Sequence, residues 1–275
     1  MLKMLNGALQ VLEPDQLAVT GPDPVSVPRA KLALVVPTLC EADNVRTVVD
    51  RVRSSLDPLR IPYELIVVDD DSQDGTAGIV RKISESDPRV RLLVRTNSRG
   101  LGGAVVHGWQ HSDAEIVGVI DADLQHPPEL LPQLWKAMER GSDLALASRY
   151  AERGSLRNWH PVRHGLSRLA IWLTWPFQKP EIYVQDPMSG FFLVRRSCIR
   201  HIALETQGFK ILLEILVRGN LDSVTEVPFS FGRREAGNSK AGLKEGLGYF
   251  FLLGRLCWSA IPHRTGHTAR NTLKR

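Results

Sequence analysis

Five short apolar runs rich in branched side chains alternate with amphipathic segments over the first half of the chain. The runs cover residues 32–37, 64–71, 89–96, 115–123 and 143–150, and the segments between them cover residues 42–55, 75–86, 101–112 and 128–140. Strands that are apolar on both faces and are separated by helices are typical of a mostly parallel sheet with helices on both faces. The sequence therefore predicts an α/β domain of the Rossmann-like class, in which ligands bind beyond the carboxyl ends of the strands.

Beyond residue 150 the alternation is weaker. The remaining patterns are a helix-like stretch, an apolar run, a second helical pattern and a strand-like run, at residues 163–177, 189–196, 209–219 and 223–231. A chain of 275 residues with 43% apolar content is long enough to bury one full core. We therefore expect a single domain over residues 31–240.

The two ends of the chain differ from the rest in composition. Residues 1–30 are rich in Pro, Gly and Asp, and we expect a loosely ordered extension without a signal-peptide pattern there. Residues 241–275 contain an apolar stretch at 247–261, interrupted by Arg255, and a basic tail. Because a spanning helix needs about 20 apolar residues, this stretch predicts either an amphipathic segment at a membrane interface or a helix in a core or dimer contact.

Charge and cysteine content limit the partners and the compartment. The formal net charge of +5 indicates an anionic partner, such as nucleotide phosphates, lipid phosphates, a membrane surface or nucleic acid, without choosing among them. Cys40, Cys198 and Cys257 lack the spacing of a zinc site or a disulfide framework, and the histidines show no ligand spacing either. We therefore expect a reducing compartment.

Two aspartates one residue apart follow the fourth apolar run. In a strand, Asp121 and Asp123 would share a face while Ala122 points into the packing. With the amide of Gln125 they make an all-oxygen set typical of Mg²⁺ or Mn²⁺, with positions left open for substrate phosphates. The alternative is that the carboxylates cap the next helix, which explains Asp123 but not Asp121. We favour the metal site.

The second apolar run ends in three successive aspartates at residues 69–71. A carboxylate only accepts hydrogen bonds, so one that faces the crevice suits the N–H and hydroxyl donors of a nucleobase or ribose. We assign this role to Asp70. Ser72 is expected in the turn and Asp74 at the cap of the following helix.

Glycines and basic residues give weaker signals. The glycines at 100, 102, 103 and 108 miss the spacing of a dinucleotide fingerprint, and we expect a tight strand-to-helix connection near a nucleotide.

Several basic residues are spread along the chain, some just past strand ends: Arg149, Arg163, Lys210, Arg234 and Lys240. They would form an anion site if they converge, and are otherwise solvated surface charge.

Nine stretches form an ordered set between Leu34 and Lys240: VVPTLCEADNV, ELIVVDDDSQDGT, RGLGGAVVHG, VIDADLQHPPE, ASRY, RHGLSRLA, DPMSGFFLVRR, GFKILLEIL and EVPFSFGRREAGNSK. On these stretches the chain resembles the family 2 glycosyltransferases, and within them the polyprenyl-phosphate (dolichol-phosphate) mannosyltransferases. The resemblance implies a GT-A type fold. The sequence departs from the family pattern at PTLCE, where the family usually has Tyr and Asn in place of Leu39 and Cys40. This difference removes a stacking or hydrogen-bonding partner for the nucleotide base.

The resemblance also implies a role for each site residue. The donor pocket would be formed by Pro37, Leu39, Glu41, Val68, Asp70, Asp121 and Ala122, and the divalent metal would be held by Asp121, Asp123 and Gln125. The acceptor phosphate would be bound by Arg149, Arg163 and Ser167, which with Asp123 make up the catalytic set. Donor phosphates would also be contacted, or a loop closed over them, by Lys210, Arg234 and Lys240.

The implied reaction moves a hexose, expected to be mannose from GDP-mannose, onto a polyprenyl phosphate with inversion at the anomeric carbon. The implied cofactor is Mg²⁺ or Mn²⁺, and no nucleic acid is expected. Many relatives carry transmembrane helices after this domain. For this chain we expect a peripheral protein on the cytoplasmic face of a membrane, bound through residues 163–178 and 247–262 or helped by a membrane-protein partner or a second copy.

Three rival functions make different demands on the sequence. The first is a family 2 enzyme that uses another nucleotide sugar, such as UDP-glucose, or a saccharide or protein acceptor. With a saccharide or protein acceptor it would need a carboxylate base near the site and would leave RHGLSR without a purpose. A Mg²⁺-binding receiver-like signalling module would be about half this length and would carry lysine where LALASRY has arginine. A nicotinamide-dependent oxidoreductase is disfavoured by the glycine spacing.

Overall fold

The computed structural model of the chain describes residues 30–97, 99–150, 174, 182–204 and 211–229. Seven strands of this part form one sheet: β1 (Leu32–Thr38), β2 (Tyr63–Asp69), β3 (Val90–Val94), β4 (Ile116–Val119), β5 (Leu144–Ser148), β6 (Phe192–Arg195) and β7 (Val224–Pro228). Their order across the sheet is β3-β2-β1-β4-β6-β5-β7. β6 is antiparallel to both of its neighbours, and the other ladders are parallel. The predicted mostly parallel sheet is confirmed.

The described helices are α1 (Val45–Leu56), α2 (Thr76–Ser86), α3 (Leu101–Gln110), α4 (Leu131–Glu139), α5 (Arg196–Ile199) and α6 (Ile211–Arg218), with short 3₁₀ turns at Asp57–Leu59 and Pro128–Leu130. The first four lie between the first five strands, as the amphipathic segments predict. No helix within the described ranges is both long enough and apolar enough to cross a membrane. The predicted N-terminal extension, apart from Ala30, and the predicted segment 241–275 lie outside the described residues.

The core lies on both faces of the sheet, and β1 shows the reason for its unbroken apolar sequence. Leu32, Leu34 and Val36 pack with residues of α1 and α4 on one face. Ala33 and Val35 pack with residues of α3 and α6 on the other. All five side chains are fully buried. A central parallel strand must be apolar at every position because helices cover both of its faces.

Close packing fixes the position of α3 against β1 and β4. A Cβ at Gly108 would lie 2.6 Å from Cγ2 of Val35, so only glycine permits this approach of helix to strand. The indole Nε1 of Trp109 donates a hydrogen bond to the carbonyl of Gly118 at 2.9 Å. These contacts hold α3 rigidly, which sets its first turn at the carboxyl edge of the sheet.

Three strands end earlier than the apolar runs predict. β2 ends at Asp69, β4 at Val119 and β5 at Ser148, although the runs continue to residues 71, 123 and 150. Carboxylates that accept nearby backbone N–H groups draw the chain out of the strand ladder and into turns. The prediction that Asp121 and Asp123 share one face of a strand is therefore wrong, because both lie in the turn after β4.

Candidate active site

Left-handed backbone residues mark the carboxyl edge of the sheet. Cys40 follows β1, Asp71 follows β2 and Leu124 follows β4, with φ values of 55°, 57° and 59°. This conformation is strained for residues with a Cβ, and such strain concentrates at functional sites. Because β6 runs antiparallel to β4, its first residue pairs with the last residue of β4. The turns after the parallel strands and the segment before β6 therefore meet at one edge.

Asp69 stabilises the turn that follows β2. Its carboxylate is fully buried and accepts hydrogen bonds from the Thr38 hydroxyl at 2.9 Å, from the Ser72 amide at 2.9 Å and from the Ser72 hydroxyl at 2.6 Å. The Ser72 hydroxyl in turn accepts the amide of Cys40 at 2.7 Å. Asp69 thus ties the ends of β1 and β2 together, and Ser72 lies in the turn as predicted.

Three of the predicted donor-pocket residues lie in or just before the turn after β1. Pro37 and Leu39 are partly exposed at the edge. The Glu41 carboxylate accepts the Asn44 side-chain amide at 3.0 Å, and the Glu41 backbone N–H donates to the Thr76 hydroxyl at 3.0 Å. This turn is therefore tied to α2 at the first residue of the helix.

Asp70 is buried and joins the end of β2 to the glycine turn before α3. One oxygen accepts the Gly100 amide at 2.7 Å, and the other lies 3.1 Å from a guanidinium nitrogen of Arg95. Burial raises the pKa of Asp70, against the Gly100 N–H and the Arg95 charge, which lower it. The glycine turn is a tight connection, as predicted. Val68, also predicted for the donor pocket, has no exposed side-chain surface and lies in the core.

The turn after β4 holds the predicted metal ligands. Asp123 accepts the backbone N–H of Gln125 at 3.1 Å, and Ala122 is buried, as predicted. The next helical turn begins at Pro128 without a side-chain cap, so the helix-cap alternative is wrong.

Asp121 lies against the segment before β6. A Cβ built on Gly190 would fall 2.3 Å from one oxygen of the Asp121 carboxylate, so the absence of a side chain at Gly190 makes room for that carboxylate. The same oxygen is 3.5 Å from Nδ1 of His126, a buried imidazole whose ring packs against Phe191 and Phe229. The Asp121 side chain keeps 27% of its surface exposed and is open to the edge.

The oxygen ligands in the turn after β4 suit a hard divalent cation. The described residues contain no cluster of three or more His, Cys, Asp or Glu side chains arranged to hold a metal. The set is instead two carboxylates, Asp121 and Asp123, with the amide of Gln125 in the same turn. Oxygen ligands of this kind suit Mg²⁺ or Mn²⁺, which commonly take only one or two carboxylates and complete their coordination with water and substrate phosphates.

Arg149 follows β5 and makes a bidentate ion pair with Asp186. Its Nε and Nη2 donate to the two Asp186 oxygens at 2.7 and 2.6 Å, and its backbone N–H donates to the same carboxylate at 3.1 Å. Asp186 is fully buried, and the Arg149 side chain is 13% exposed. Burial alone would lower the pKa of Arg149, but the Asp186 carboxylate raises it, so this cation is permanent.

Other residues predicted for the site lie outside the described part of the chain: Arg163, Ser167, Lys210, Arg234 and Lys240. Their predicted roles remain predictions. Gly190 and Asp186, in contrast, lie at the site and were missed as individual residues. Asp186 and Gly190 belong to the DPMSG stretch, but the sequence does not reveal that the following strand is antiparallel, and that direction brings the stretch to the carboxyl edge.

Solved structures share this fold. The chain superimposes on mannosyl-3-phosphoglycerate synthase from Rubrobacter xylanophilus with a TM-score of 0.59 and 19% identity, covering 84% of this chain and 73% of that one. It also superimposes on glucosyl-3-phosphoglycerate synthase from Mycobacterium tuberculosis in complex with Mn²⁺, UDP and glucosyl-3-phosphoglycerate, with a TM-score of 0.56, 22% identity and 84% and 80% coverage. The fold that the chain shares with these proteins is of the GT-A type.

Residues 33–203 match the family model described as glycosyl transferase family 2, and the chain belongs to that family. A dolichol-phosphate mannosyltransferase from Pyrococcus furiosus is 40% identical over 211 residues, which are 76% of this chain and 59% of that protein. The enzyme of the same name from Saccharomyces cerevisiae is 34% identical over 82% of this chain and 86% of its own length. A polyprenol monophosphomannose synthase from Mycolicibacterium smegmatis is 34% identical, with 80% and 84% coverage. The chain thus spans less than two thirds of the Pyrococcus relative.

Proposed function

We propose that this protein is a metal-dependent, inverting glycosyltransferase that moves mannose from GDP-mannose onto a polyprenyl phosphate. The sugar and the lipid acceptor are supported by the relatives named above, which are 34–40% identical to the chain. The divalent metal, Mg²⁺ or Mn²⁺, is supported by the oxygen donor set of Asp121, Asp123 and Gln125.

One observation carries the proposal: the segment before β6 touches both halves of the site. Its Asp186 pairs with Arg149, and its Gly190, four residues further on, lies against Asp121. Asp121 also acts electrostatically on Arg149. Asp121 and Asp123 suit a metal ion bound to a diphosphate, and Arg149 suits a phosphate monoester. Their proximity supports the proposal, because the sugar must pass directly from the donor diphosphate to the acceptor phosphate.

The donor half would hold the nucleotide sugar. A divalent cation bound by Asp121, Asp123 and Gln125 would supply positive charge to the donor diphosphate and so favour its departure. Pro37, Leu39 and Glu41 would line the pocket for the nucleoside. Asp70 would support this pocket from the protein side, because its carboxylate accepts the Gly100 N–H in the glycine turn that precedes α3.

The acceptor half would position a group that is already anionic. Arg149, with Arg163 and Ser167, would orient the phosphate. Because the Nε and Nη2 edge of Arg149 bonds to Asp186, its phosphate contacts would come from the other Nη N–H groups and from its permanent charge. A phosphate oxygen attacks the anomeric carbon as the bond from that carbon to the diphosphate breaks, and the electron pair leaves with the diphosphate. No proton needs to be removed, so positioning contributes more than base catalysis. Attack from the opposite side inverts the anomeric configuration.

The polyprenyl chain of the proposed acceptor would require the enzyme to work at a membrane. We propose a peripheral association with the cytoplasmic face, through residues 163–178 and 247–262 or through a membrane-protein partner or a second copy. The proposed domain organisation is a catalytic domain over residues 31–240 with an extension at each end.

The decisive experiment incubates the purified protein with Mn²⁺ or Mg²⁺, a panel of labelled nucleotide sugars and a polyprenyl phosphate, and then extracts the lipid. We expect label from GDP-mannose in the lipid phase, with loss of transfer in Asp123→Ala. Asp50→Asn is the matched control, because Asp50 is an exposed carboxylate on α1. Full lipid transfer by Asp123→Ala would refute the metal assignment. Transfer to soluble saccharides with none to the lipid would refute the acceptor assignment.

A further inference from the structure

We propose that Glu226 is a positioning residue that fixes Asp186 and, through Asp186, the guanidinium of Arg149 that binds the acceptor phosphate. The inference rests on the proposed function. Glu226 lies in the middle of β7, the edge strand that pairs with β5. It would act from behind the site without touching either substrate.

The carboxylate of Glu226 holds a segment that no strand ladder holds. Its two oxygens accept the backbone N–H groups of Gln185 at 2.9 Å and Asp186 at 3.2 Å. Neither donor belongs to a described strand, so these two hydrogen bonds fix the backbone at Asp186 to the sheet. The carboxylate thus joins β7 to the segment before β6.

Asp186 passes this constraint to Arg149. The Asp186 side chain is fully buried and accepts two parallel hydrogen bonds from the guanidinium. Two parallel bonds define the plane of the guanidinium as well as its position. A guanidinium held in one plane loses less conformational freedom when it binds phosphate. The consequence of moving Asp186 is therefore a misdirected cation at the acceptor site.

The carboxylates of Glu226 and Asp186 are neighbours and repel one another. Burial raises the pKa of Glu226 and the Asp186 charge raises it further, while the N–H groups of Gln185 and Asp186 lower it. A neutral hydrogen-bonding side chain would avoid the repulsion between the two acids. The geometry instead uses both oxygens of one acid to hold the backbone of the other.

The experiment uses Glu226→Gln, which keeps the side-chain length and one acceptor oxygen but replaces the other with an NH₂ group that cannot accept. We expect the KM for a short-chain polyprenyl phosphate to rise about tenfold, the effect of one lost hydrogen bond on a positioned charge. The dissociation constant of GDP-mannose with Mn²⁺ should stay unchanged. Glu115→Gln is the matched control, because Glu115 pairs with Arg195 at 3.2 Å, at the far end of β6.

A double-mutant cycle tests whether Glu226 acts through Arg149. Arg149→Lys keeps the charge but removes the planar fork, so adding Glu226→Gln to it should change the acceptor KM by less than about twofold. An undiminished effect in the Arg149→Lys background would overturn the proposal. So would an equal loss of donor affinity, or a fall in thermal stability with no change in acceptor KM.

A binding measurement separates this proposal from the proposed function. Binding of citronellyl phosphate, a short isoprenoid phosphate monoester, is measured on the same variants without any transfer. If the wild-type protein transfers no mannose to lipid, the proposed function fails. The same weakening of citronellyl phosphate binding by Glu226→Gln would still support the positioning role, and unchanged binding would refute it.

Discussion

The two halves of the site are built differently. On the donor side, Asp69 bonds to Ser72 and Asp123 to Gln125, so each carboxylate organises its own turn within three residues. On the acceptor side, Arg149 pairs with Asp186 across 37 positions, and Asp186 is held by Glu226 across 40. Longer bonds, such as that of Asp69 to Thr38 across 31 positions, add to these turns on the donor side. The guanidinium of Arg149, in contrast, is positioned by a partner that the completed sheet brings near.

The largest effect should follow from removing Asp186. Asp186→Ala would remove the carboxylate that makes the bidentate ion pair with the buried guanidinium of Arg149, and breaking a buried pair costs about 3–5 kcal/mol. We expect that loss in the free energy of unfolding measured in urea, together with loss of transfer to lipid. A change below about 1 kcal/mol would show that the pair behaves as a surface ion pair, and the contrast between the halves would disappear.

A smaller effect should follow from removing Asp69 on the donor side. Asp69→Ala would leave the Thr38 hydroxyl and the Ser72 amide without their acceptor, at about 1–3 kcal/mol for such a buried group. We expect lower stability by urea unfolding and weaker GDP-mannose binding by calorimetry. Binding of citronellyl phosphate should not change. Equal weakening of both ligands would show that the two halves are not independent.

The same contrast explains how much could be predicted from the sequence. The sheet class, the helices between the first five strands and the cluster of acidic residues at the carboxyl edge all follow from local periodicity and chain order. The site residues placed by these local signals, such as Asp121 and Asp123, lie at that edge as expected. Local patterns succeed there because a strand end and its turn are neighbours in sequence.

The sequence could not predict contacts that depend on the direction of a strand or join residues far apart in the chain. The antiparallel direction of β6 has no local signal, so the approach of Gly190 to Asp121 and of Asp186 to Arg149 could not be read from spacing. The strand-face argument for Asp121 and Asp123 failed for a different reason. Their carboxylates favour turns over strand, and an apolar run does not show where its ladder stops.

A substitution at Gly190, in the segment that also carries Asp186, should disturb Asp121 in the donor half. In Gly190→Ala the new Cβ would lie 2.3 Å from an Asp121 oxygen, and a carboxylate can rotate away at little cost to folding. We expect a nearly unchanged melting temperature but about tenfold weaker activation by Mn²⁺, as found when groups that orient metal ligands are altered. Gly78→Ala is the control, because a Cβ there meets nothing within 4 Å. Unchanged Mn²⁺ activation would remove Asp121 from the metal site.

The smallest effect concerns pH and compares a carboxylate of the site with one outside it. The pKa of Asp70 is raised, mainly by burial, so its favourable contribution is complete below the unfolded value of about 3.9 and is lost as pH rises through the folded value. The pKa of Asp87 is lowered, mainly by its hydrogen bonds to Arg89. Its contribution is present above about 3.9 and is lost as pH falls through its folded value.

Urea unfolding of Asp70→Asn and Asp87→Asn between pH 3 and 7 tests these opposite signs. The stability of wild type relative to Asp70→Asn should decrease as pH rises, and that relative to Asp87→Asn should increase. Parallel slopes would mean that Asp70 is an ordinary structural carboxylate. Opposite slopes would show that the site keeps a buried acid at a cost in stability, because the Asp70 carboxylate holds the glycine turn at Gly100.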